Sequence, residues 1–509
     1  MVTIDGNSLT IEQVIRVARF CEEVKISNDA IDNINKSNVR LNEILNIAKP
    51  VYGINTGYGI FSNEKLSLKE SEQLNRNLIL SHAIGVGEYF PEEIVRAAML
   101  IRANTLAKGY SGVREIIVNT LIEMLNKQVT PCVRSQGSLG SSGDLCLLAQ
   151  VCLVLTTDKD DLDSESGKAI LNGKIFTGKK AMRLAGIDRI VCQPKEGLAL
   201  INGATFTAAI CVLAIYDANK YWHIANLTLA LSMEALRART DILDARIHQL
   251  RGMDGQIITA NEVLSFLNES TFINTNDKVQ DAYSIRCAPQ VHGAVYDSIQ
   301  HARGIITKEI NAVTDNPIIL DDKTVISGGN FHGEPLGIVL DLLNIATSEL
   351  GAISERRTAC LLDSSTNNGL PTMLVDPKGK SGLQSGLMIL QYTAASLVLE
   401  NKLLASPASI HSLPTSANQE DHNANCTTAA RHALEIIINN SNIFAVEAIC
   451  AFHAIQILMN QKITLVLSNE TNKLFTKIHD AIGYDHEDHI YSTDIESVRA
   501  IFTKLFETR

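Results

Sequence analysis

The residues best suited to chemistry lie in one short segment, Gly137-Ser138-Leu139-Gly140-Ser141-Ser142-Gly143-Asp144. Its glycines allow a very tight backbone, and Asp144 stands where it can cap the apolar run from Leu145 to Leu155 as a helix. The serines would then lie at the positive end of a helix dipole. Such a segment could cradle a phosphate, activate a serine as a nucleophile, cyclise its own backbone or simply form a turn.

Two of these interpretations lack a part that they need. A P-loop has a lysine after its glycines, and a nucleophile elbow has a preceding strand and a Gly-x-Ser-x-Gly spacing. The segment from Gly137 to Asp144 has neither the lysine nor that spacing. On its own it leaves a plain glycine-rich turn open as well.

A second segment near the C-terminus, His486-Glu487-Asp488-His489, has the composition of a metal site. A His-x-x-His pair needs at least one further ligand to hold zinc, and this pair is surrounded by acidic residues typical of a solvated surface. We therefore predict no metal site there.

The elements that carry these residues are predicted to be mostly helical. Thr10 and Gln13 form a capping box before an apolar helix, and Asn172-Gly173 marks a small hairpin within a surface excursion over residues 160–180. After about residue 205, long segments nearly lack glycine and proline: Pro335 to Asp363, Gly386 to Ala405 and Thr427 to Asn460. Apolar residues on more than one face of these segments indicate burial within a bundle or between subunits.

Composition excludes several classes of protein. The 509 residues carry a net charge of -11 with scattered basic residues, which argues against nucleic-acid and membrane partners. The ten cysteines stand singly without a disulfide framework, which is typical of a reducing cytoplasm. We recognise neither a signal peptide nor an apolar run of bilayer length.

The segment from Gly137 to Asp144 resembles the loop of the aromatic amino acid ammonia-lyases and aminomutases, in which Ala-Ser-Gly becomes 4-methylideneimidazol-5-one (MIO). The resemblance implies that the Gly143 nitrogen attacks the Ser141 carbonyl and that Ser142 loses its hydroxyl, with two waters expelled and no external cofactor required. Gly143 lacks a side chain and Ser142 can be dehydrated, as the cyclisation requires. Ser141 replaces the commoner alanine, but its side chain lies outside the new ring.

Seven further segments match this family in the family's order. They are Tyr52 to Gly59, Asn77 to Gly87, Lys195 to Gly203, Gln280 to Arg286, Asp315 to Pro317, Gly329 to Pro335, and Thr415 to His422. The resemblance therefore extends over nearly the whole chain. It implies a mainly α, elongated helical bundle with a small N-terminal, loop-rich helical region.

The resemblance assigns the chemical steps to particular residues. Tyr52 is expected to be the base that removes the β-proton of an amino acid. Arg286 is expected to bind the substrate carboxylate, because its planar guanidinium can contact two oxygens at once. Asn202 and Tyr283 would hydrogen-bond the substrate or the MIO oxygen.

Four other residues are expected to shape the substrate pocket. Gln280 and Phe331 would line it, whereas His82 and Glu420 bear on which side chain is accepted, because both can hydrogen-bond an imidazole ring. The expected reaction is elimination of ammonia from L-histidine to give trans-urocanate. The alternatives are a tyrosine or phenylalanine lyase or 2,3-aminomutase and, outside the family, a serine hydrolase or a catalytically silent relative.

We predict two regions within one integrated unit. Residues 1–205 carry the tyrosine and MIO loops, and residues 206–509 form the long-helix bundle. A cytoplasmic homotetramer with active sites shared between subunits is expected from the resemblance. The chain departs from the family's usual residues at five positions, which bear on substrate identity: Cys146, Leu147, Gln150, Ser406 and Asn423.

Overall fold

The computed structural model describes residues 1–45, 56–57, 64, 66–461 and 465–505. Helices dominate these residues, which confirms the mainly α fold. In chain order they are α1 (Ile11–Phe20), α2 (Asn28–Leu45), α3 (Leu68–His82), α4 (Glu92–Ala107), α5 (Glu115–Asn126), α6 (Leu145–Leu155), α7 (Gly178–Leu184), α8 (Glu196–Ile201), α9 (Thr205–Ala235), α10 (Ala245–Arg251), α11 (Asp254–Phe266), α12 (Tyr283–Arg286), α13 (Ala288–Glu309), α14 (Glu334–Leu362), α15 (Met388–Leu404), α16 (Cys426–Asn460), α17 (Asn469–Ile482) and α18 (Tyr491–Lys504).

The strands are short and form small sheets of two or three strands. They are β1 (Val2–Ile4), β2 (Val24–Ile26), β3 (Val86–Tyr89), β4 (Thr130–Pro131), β5 (Arg134–Gln136), β6 (Thr156–Thr157), β7 (Lys168–Leu171), β8 (Lys174–Thr177), β9 (Ile190–Val191), β10 (Ile318–Ile319) and β11 (Val325–Ile326). The largest sheet among them has three antiparallel strands in the order β4-β7-β8. Its β7–β8 hairpin turns at Asn172-Gly173, as the sequence predicted.

Contacts between residues divide the chain into two compact units, each built from three stretches of sequence. The first unit comprises Met1–Tyr216, Ala302–Asp341 and Pro407–Arg431, and the second comprises Asp217–His301, Leu342–Ser406 and His432–Arg509. The first unit thus contains more than the region 1–205. The division at residues 205 and 206 remains a prediction about where the two loops and the long helices lie in the sequence.

Local sequence signals explain where several helices begin and end. The Thr10 side chain accepts from the Gln13 N–H and the Gln13 side chain accepts from the Thr10 N–H, so α1 begins with the predicted capping box. The three long segments predicted after residue 335 correspond to α14, α15 and α16. Each begins within three residues of the predicted position, because caps and apolar runs are local features of the sequence.

Each unit has its own buried core. In the first unit, every residue of α4 from Ile94 to Ala107 is buried. In the second, the buried carboxylate of Glu447 pairs with Arg357 at 2.5 Å and also accepts hydrogen bonds from Ser232 and Ser354. These partners compensate both charges for their removal from water.

Two helices, α14 and α16, are apolar and long enough to cross a membrane, which differs from the absence of such a run inferred from the sequence. Most of the apolar window is buried in both helices, 72% in α14 and 83% in α16. Core helices of globular proteins share this character, because an all-round apolar surface must be covered by protein or lipid.

Candidate active site

Asp144 organises the loop that precedes α6, but not by the capping contact predicted from the sequence. It stands at the N-cap position, yet its side chain makes no capping hydrogen bond. Instead the fully buried carboxylate accepts from the Thr207 N–H at 2.8 Å, the Ser138 hydroxyl at 2.7 Å and the Thr427 hydroxyl at 2.7 Å. Burial raises its pKa, against the opposing effect of these hydrogen bonds.

The backbone at Gly143 is packed directly against a second glycine. Gly143 has φ of +78°, and a Cβ added there would lie 2.1 Å from the Gly203 carbonyl carbon. The Asp144 N–H donates to the Gly203 oxygen at 2.9 Å, and the Asn202 side-chain amide donates to the Ser142 oxygen at 2.7 Å. No residue with a side chain fits at 143, so the glycine is required by both conformation and space.

The other end of the loop is held by the beginnings of α14 and α16. The Gly333 N–H donates to the Gly140 oxygen at 2.9 Å, and the Asn425 N–H donates to the Leu139 oxygen at 2.7 Å. The Cys426 sulfur fills the space beside two glycines, since a Cβ would lie 2.1 Å from it at Gly140 and 2.3 Å from it at Gly333. The loop is therefore compressed from both sides.

A cavity of about 1570 Å³ opens beside this loop, and all its lining residues belong to the first unit. It brings together six of the residues selected from the sequence: His82, Ser141, Ser142, Asn202, Phe331 and Glu420. Gly143 follows Ser142 in the loop but is not among the residues that line the cavity. These residues come from five separate parts of the chain, so the fold itself assembles them.

The Glu420 carboxylate points at the two serines of the loop. Ser142 donates to its Oε1 atom at 2.8 Å, while Ser141 at 3.4 Å and Thr415 at 3.3 Å donate to its Oε2 atom. Thr415 and Glu420 also exchange backbone hydrogen bonds of 2.8 and 3.2 Å, which fixes the segment that carries the carboxylate. The acid is thus aimed at the loop by its backbone as well as by its side-chain partners.

His82 is the last residue of α3 and lies on the cavity wall. Burial lowers its pKa, although Leu78 and the negative charge of Glu420 act in the other direction. Its Nδ1 atom lies 3.0 Å from the Ser81 hydroxyl. A neutral imidazole in this position has one nitrogen that donates and one that accepts a hydrogen bond.

The sequence profile of the family described as aromatic amino acid lyase matches residues 9–480. The chain belongs to the aromatic amino acid lyase family. It is a carbon–nitrogen lyase, and the resemblance inferred from the sequence motifs is confirmed.

Relatives of this lyase match it over nearly its full length. It is 46% identical to a histidine ammonia-lyase of Treponema denticola, covering 97% of this chain and 95% of the relative. The crystal structure of histidine ammonia-lyase from Trypanosoma cruzi is 36% identical with a TM-score of 0.89, covering 99% and 93% of the two chains. The phenylalanine aminomutase of Pantoea agglomerans is 30% identical with a TM-score of 0.93, covering 99% of both chains.

Three residues selected from the sequence, all in the second unit, are not among those that line the cavity. Tyr52 lies outside the described residues. Gln280, Tyr283 and Arg286 belong to the second unit, where the Arg286 guanidinium carbon lies 4.6 Å from the centroid of the Tyr283 ring. Tyr283 is 70% exposed there, so it is available for contacts beyond its own chain.

Several polar groups of the candidate site were not selected from the sequence. The cavity wall also contains Asn316, Ser327, His332, Glu334, Asp421 and His422. Most of them lie within segments that matched the family, so the segments themselves pointed to the site. The type of an individual residue, however, did not indicate that its side chain lines the cavity. Thr207 and Thr427, which hold Asp144, carried no signal of their own.

The unusual residue Gln150 has a structural contact that explains it. Its side-chain oxygen accepts from the Arg134 N–H at 2.9 Å, and its amide donates to the oxygens of Ile84 and Cys146. The amide therefore links α6 to the β5 strand and to the end of the α3 segment. Among the described residues, no group of three or more histidine, cysteine, aspartate or glutamate side chains could hold a metal ion.

Proposed function

We propose that this lyase eliminates ammonia from L-histidine and releases trans-urocanate. The observation that carries the proposal is that Glu420 and His82 both lie on the wall of the cavity that also contains the serine loop, close enough for the charge of Glu420 to act on the pKa of His82. An imidazole ring has two polar nitrogens that an apolar pocket would leave unpaired, and a carboxylate with a neutral histidine can hydrogen-bond both. Identity of 46% to a histidine ammonia-lyase supports the same substrate.

The loop fits formation of MIO from Ser141, Ser142 and Gly143. The Gly143 nitrogen would bond to the Ser141 carbonyl carbon, whose oxygen leaves as one water with the amide hydrogens of Gly143 and Ser142. Ser142 would lose its hydroxyl and its Cα hydrogen as a second water. The close approach of Gly143 to Gly203 supports this fit, because it leaves room only for backbone. MIO would supply the electrophile that captures the substrate. No external cofactor or metal is part of the proposal.

The chain's own residues would then position the substrate and move its proton. Glu420 and His82 would orient the ring, and Phe331 would cover it. Asn202, which already holds the Ser142 oxygen at 2.7 Å, would fix the loop during the reaction. Tyr52 would take the β-proton from the substrate, since a base must face the carbon next to the one that loses ammonia.

We propose that Gln280, Tyr283 and Arg286 reach the cavity from a neighbouring subunit of a homotetramer. The α15 helix of the second unit supports association, because a stripe of its large apolar side chains is exposed: Ile389 61%, Tyr392 66%, Leu399 62% and Leu403 70%. A contiguous apolar stripe of this kind is typical of a subunit interface. The ten free thiols, most of them buried, support a cytoplasmic location.

Intact mass spectrometry combined with a product assay tests the reaction. The purified protein is expected to be lighter than its translated mass by two waters, localised to the peptide that contains Ser141 to Gly143. Histidine should give the ultraviolet absorption of urocanate. Ser142→Ala should restore the full mass and abolish turnover. A full-mass wild-type protein with activity would overturn the proposal and favour a serine hydrolase.

Subunit mixing tests the shared sites. Ser142→Ala and Arg286→Ala are each expected to be inactive as separate homotetramers. If they are unfolded and refolded together, a fraction of the mixed sites receives an intact loop from one chain and an intact arginine from another. Recovered activity would support sharing, whereas light scattering that shows an active monomer would contradict it.

The similarity to a phenylalanine aminomutase favours aminomutase activity as the second candidate function. An aminomutase would use the same loop but return ammonia to the β-carbon. An assay with histidine, phenylalanine and tyrosine separates the two, because a β-amino acid product selects the aminomutase. Strong turnover of phenylalanine or tyrosine with histidine untouched would overturn the histidine assignment.

A further inference from the structure

The two oxygens of Glu420 have different hydrogen-bond partners. Oε1 accepts only from Ser142, at 2.8 Å, among the contacts that the described residues make with it. Oε2 accepts from Ser141 at 3.4 Å and from Thr415 at 3.3 Å. The carboxylate therefore lies between a hydroxyl that the proposed ring formation removes and two hydroxyls that it leaves in place.

We propose that Ser141 is a positioning residue. Its hydroxyl holds the Glu420 carboxylate so that the Oε1 atom of Glu420 faces the substrate ring. The proposal deepens the function proposed above and rests on it. When Ser142 loses its hydroxyl, Oε1 loses its donor, while Oε2 keeps Ser141 and Thr415. The freed oxygen is then the one that accepts a hydrogen bond from the imidazole of histidine.

Burial fixes the position of the Ser141 hydroxyl. The residue is only 8% exposed, so its side chain is held by the surrounding loop, and a shortened side chain would leave Oε2 with Thr415 as its remaining protein donor. A carboxylate held at one oxygen by two hydroxyls loses less orientational freedom on binding than one held by a single hydroxyl. The hydroxyl thus acts through Glu420 and does not need to contact the substrate itself.

The Ser142→Ala variant allows a test without turnover. It lacks the Ser142 hydroxyl and cannot form the ring, so histidine binding to the full-length protein can be measured at equilibrium by calorimetry. In this background, Ser141→Ala is expected to weaken histidine binding about threefold to tenfold, the range of one modest hydrogen bond. Phenylalanine, which has no ring nitrogen, should bind with the same affinity to both proteins.

A matched control removes a nearby hydroxyl that faces elsewhere. The Ser412 hydroxyl accepts from the Asn423 N–H at 2.8 Å and does not contact Glu420. Ser412→Ala in the same background should leave histidine affinity within about twofold, because the chemical change is the same but the partner is different.

A double-mutant cycle separates positioning from a general structural effect. If Ser141 acts through Glu420, then Ser141→Ala should change histidine affinity by less than about twofold once Glu420→Gln is present. Ser141→Thr, which keeps a hydroxyl, should retain more of the affinity than Ser141→Ala does. Equal losses with and without Glu420, or no loss at all, would overturn the proposal.

The two proposals fail in different ways. Loss of the two-water mass deficit or of histidine turnover in the wild-type protein would remove the proposed function. A wild-type protein that passes both tests, combined with unchanged histidine binding in Ser141→Ala, would remove only the role of Ser141.

Discussion

The loop Gly137–Asp144 and the segment His486–His489 both contain residue types that can do chemistry, but their polar groups have different partners. In the loop, the serines of the triad face a cavity and an acid from a distant part of the chain. In the C-terminal segment, His486 lies 3.0 Å from Asp376, and His489 lies 2.7 Å from Asp494. Each histidine there is paired with one carboxylate.

Asp488 completes the contrast. Its carboxylate accepts from the N–H groups of Ser385 and Gly386 at 2.7 and 3.0 Å, so it ties the C-terminal segment to the chain just before α15. A functional site needs polar groups that converge on a space and retain hydrogen-bonding capacity for a ligand. The loop before α6 meets this requirement. The contacts described for the C-terminal segment instead hold this segment against other parts of the chain.

The largest effect that separates the two regions is expected from Gly143→Ala. A Cβ would lie 2.1 Å from the Gly203 carbonyl carbon, at a φ of +78°, so the loop cannot keep its conformation. We expect complete loss of both the mass deficit and turnover. Gly173→Ala is the matched control, because its φ is +71° but nothing lies within 4 Å of the added carbon. It should cost about 1 kcal/mol of stability and leave turnover unchanged.

Tyr52→Phe is expected to have the next largest effect. The change removes the hydroxyl of the proposed base and leaves the loop chemistry untouched. Turnover of histidine should fall by several orders of magnitude while the two-water mass deficit remains. A Tyr52→Phe protein with wild-type turnover would remove this tyrosine from the mechanism.

Glu420→Gln should lower histidine turnover by about one to three orders of magnitude, the loss expected for a buried hydrogen bond to a charged group. The amide retains the size of the side chain, so the fold should be unaffected. Steady-state kinetics with histidine measures the loss, and intact mass checks that the loop is still modified. Unchanged turnover would place substrate recognition elsewhere in the cavity.

A pH effect on stability is expected from His453, whose ring centroid lies 5.3 Å from that of Tyr484 next to the C-terminal segment. Burial lowers its pKa to about 4. In the unfolded chain His453 has a pKa near 6.5, so between pH 6.5 and pH 4 the unfolded chain binds a proton that the folded chain does not bind. The free energy of unfolding is therefore greatest above pH 6.5 and falls as the pH drops toward 4. Urea unfolding at pH 7 and pH 5 should show a loss that His453→Gln reduces, with no change in the mass deficit.

The smallest effect is expected from His489→Gln. Its partner Asp494 raises the pKa of His489, although burial opposes this. The pair is partly exposed, so its loss should cost at most about 1 kcal/mol and leave turnover and modification unchanged. A large loss of activity would show that the C-terminal segment does more than clasp the chain.

Local features could be predicted from the sequence, but contacts between distant residues could not. The capping box at Thr10, the hairpin at Asn172-Gly173 and the long helices all depend on neighbours in the sequence. The role of Asp144 was predicted as a cap because that is the local option, yet its actual partners include Thr207 and Thr427, which lie 63 and 283 residues away. Similarly, nothing local indicates that Gly143 packs against Gly203.

The candidate site was predictable to the extent that motifs recur in a family. The resemblance selected the six residues that the cavity brings together, because each lies in a matching segment. It also selected Gln280, Tyr283 and Arg286, which the second unit contains and whose proposed site lies in another subunit. If these residues reach the cavity from a neighbouring subunit, as we propose, that part of the site would form only on association.

The loop and its partners are far apart in the sequence, and this separation determines at which stage of synthesis the proposed ring can form. Asp144 and Ser142 depend on Thr427 and Glu420, which are made 283 and 278 residues later during synthesis. A nascent chain whose residue 427 has not yet emerged from the ribosome therefore lacks the contact of Thr427 with Asp144. Only chains in which the first unit is complete would then carry the modification. The fraction of protein lacking two waters would then measure the fraction that has folded correctly.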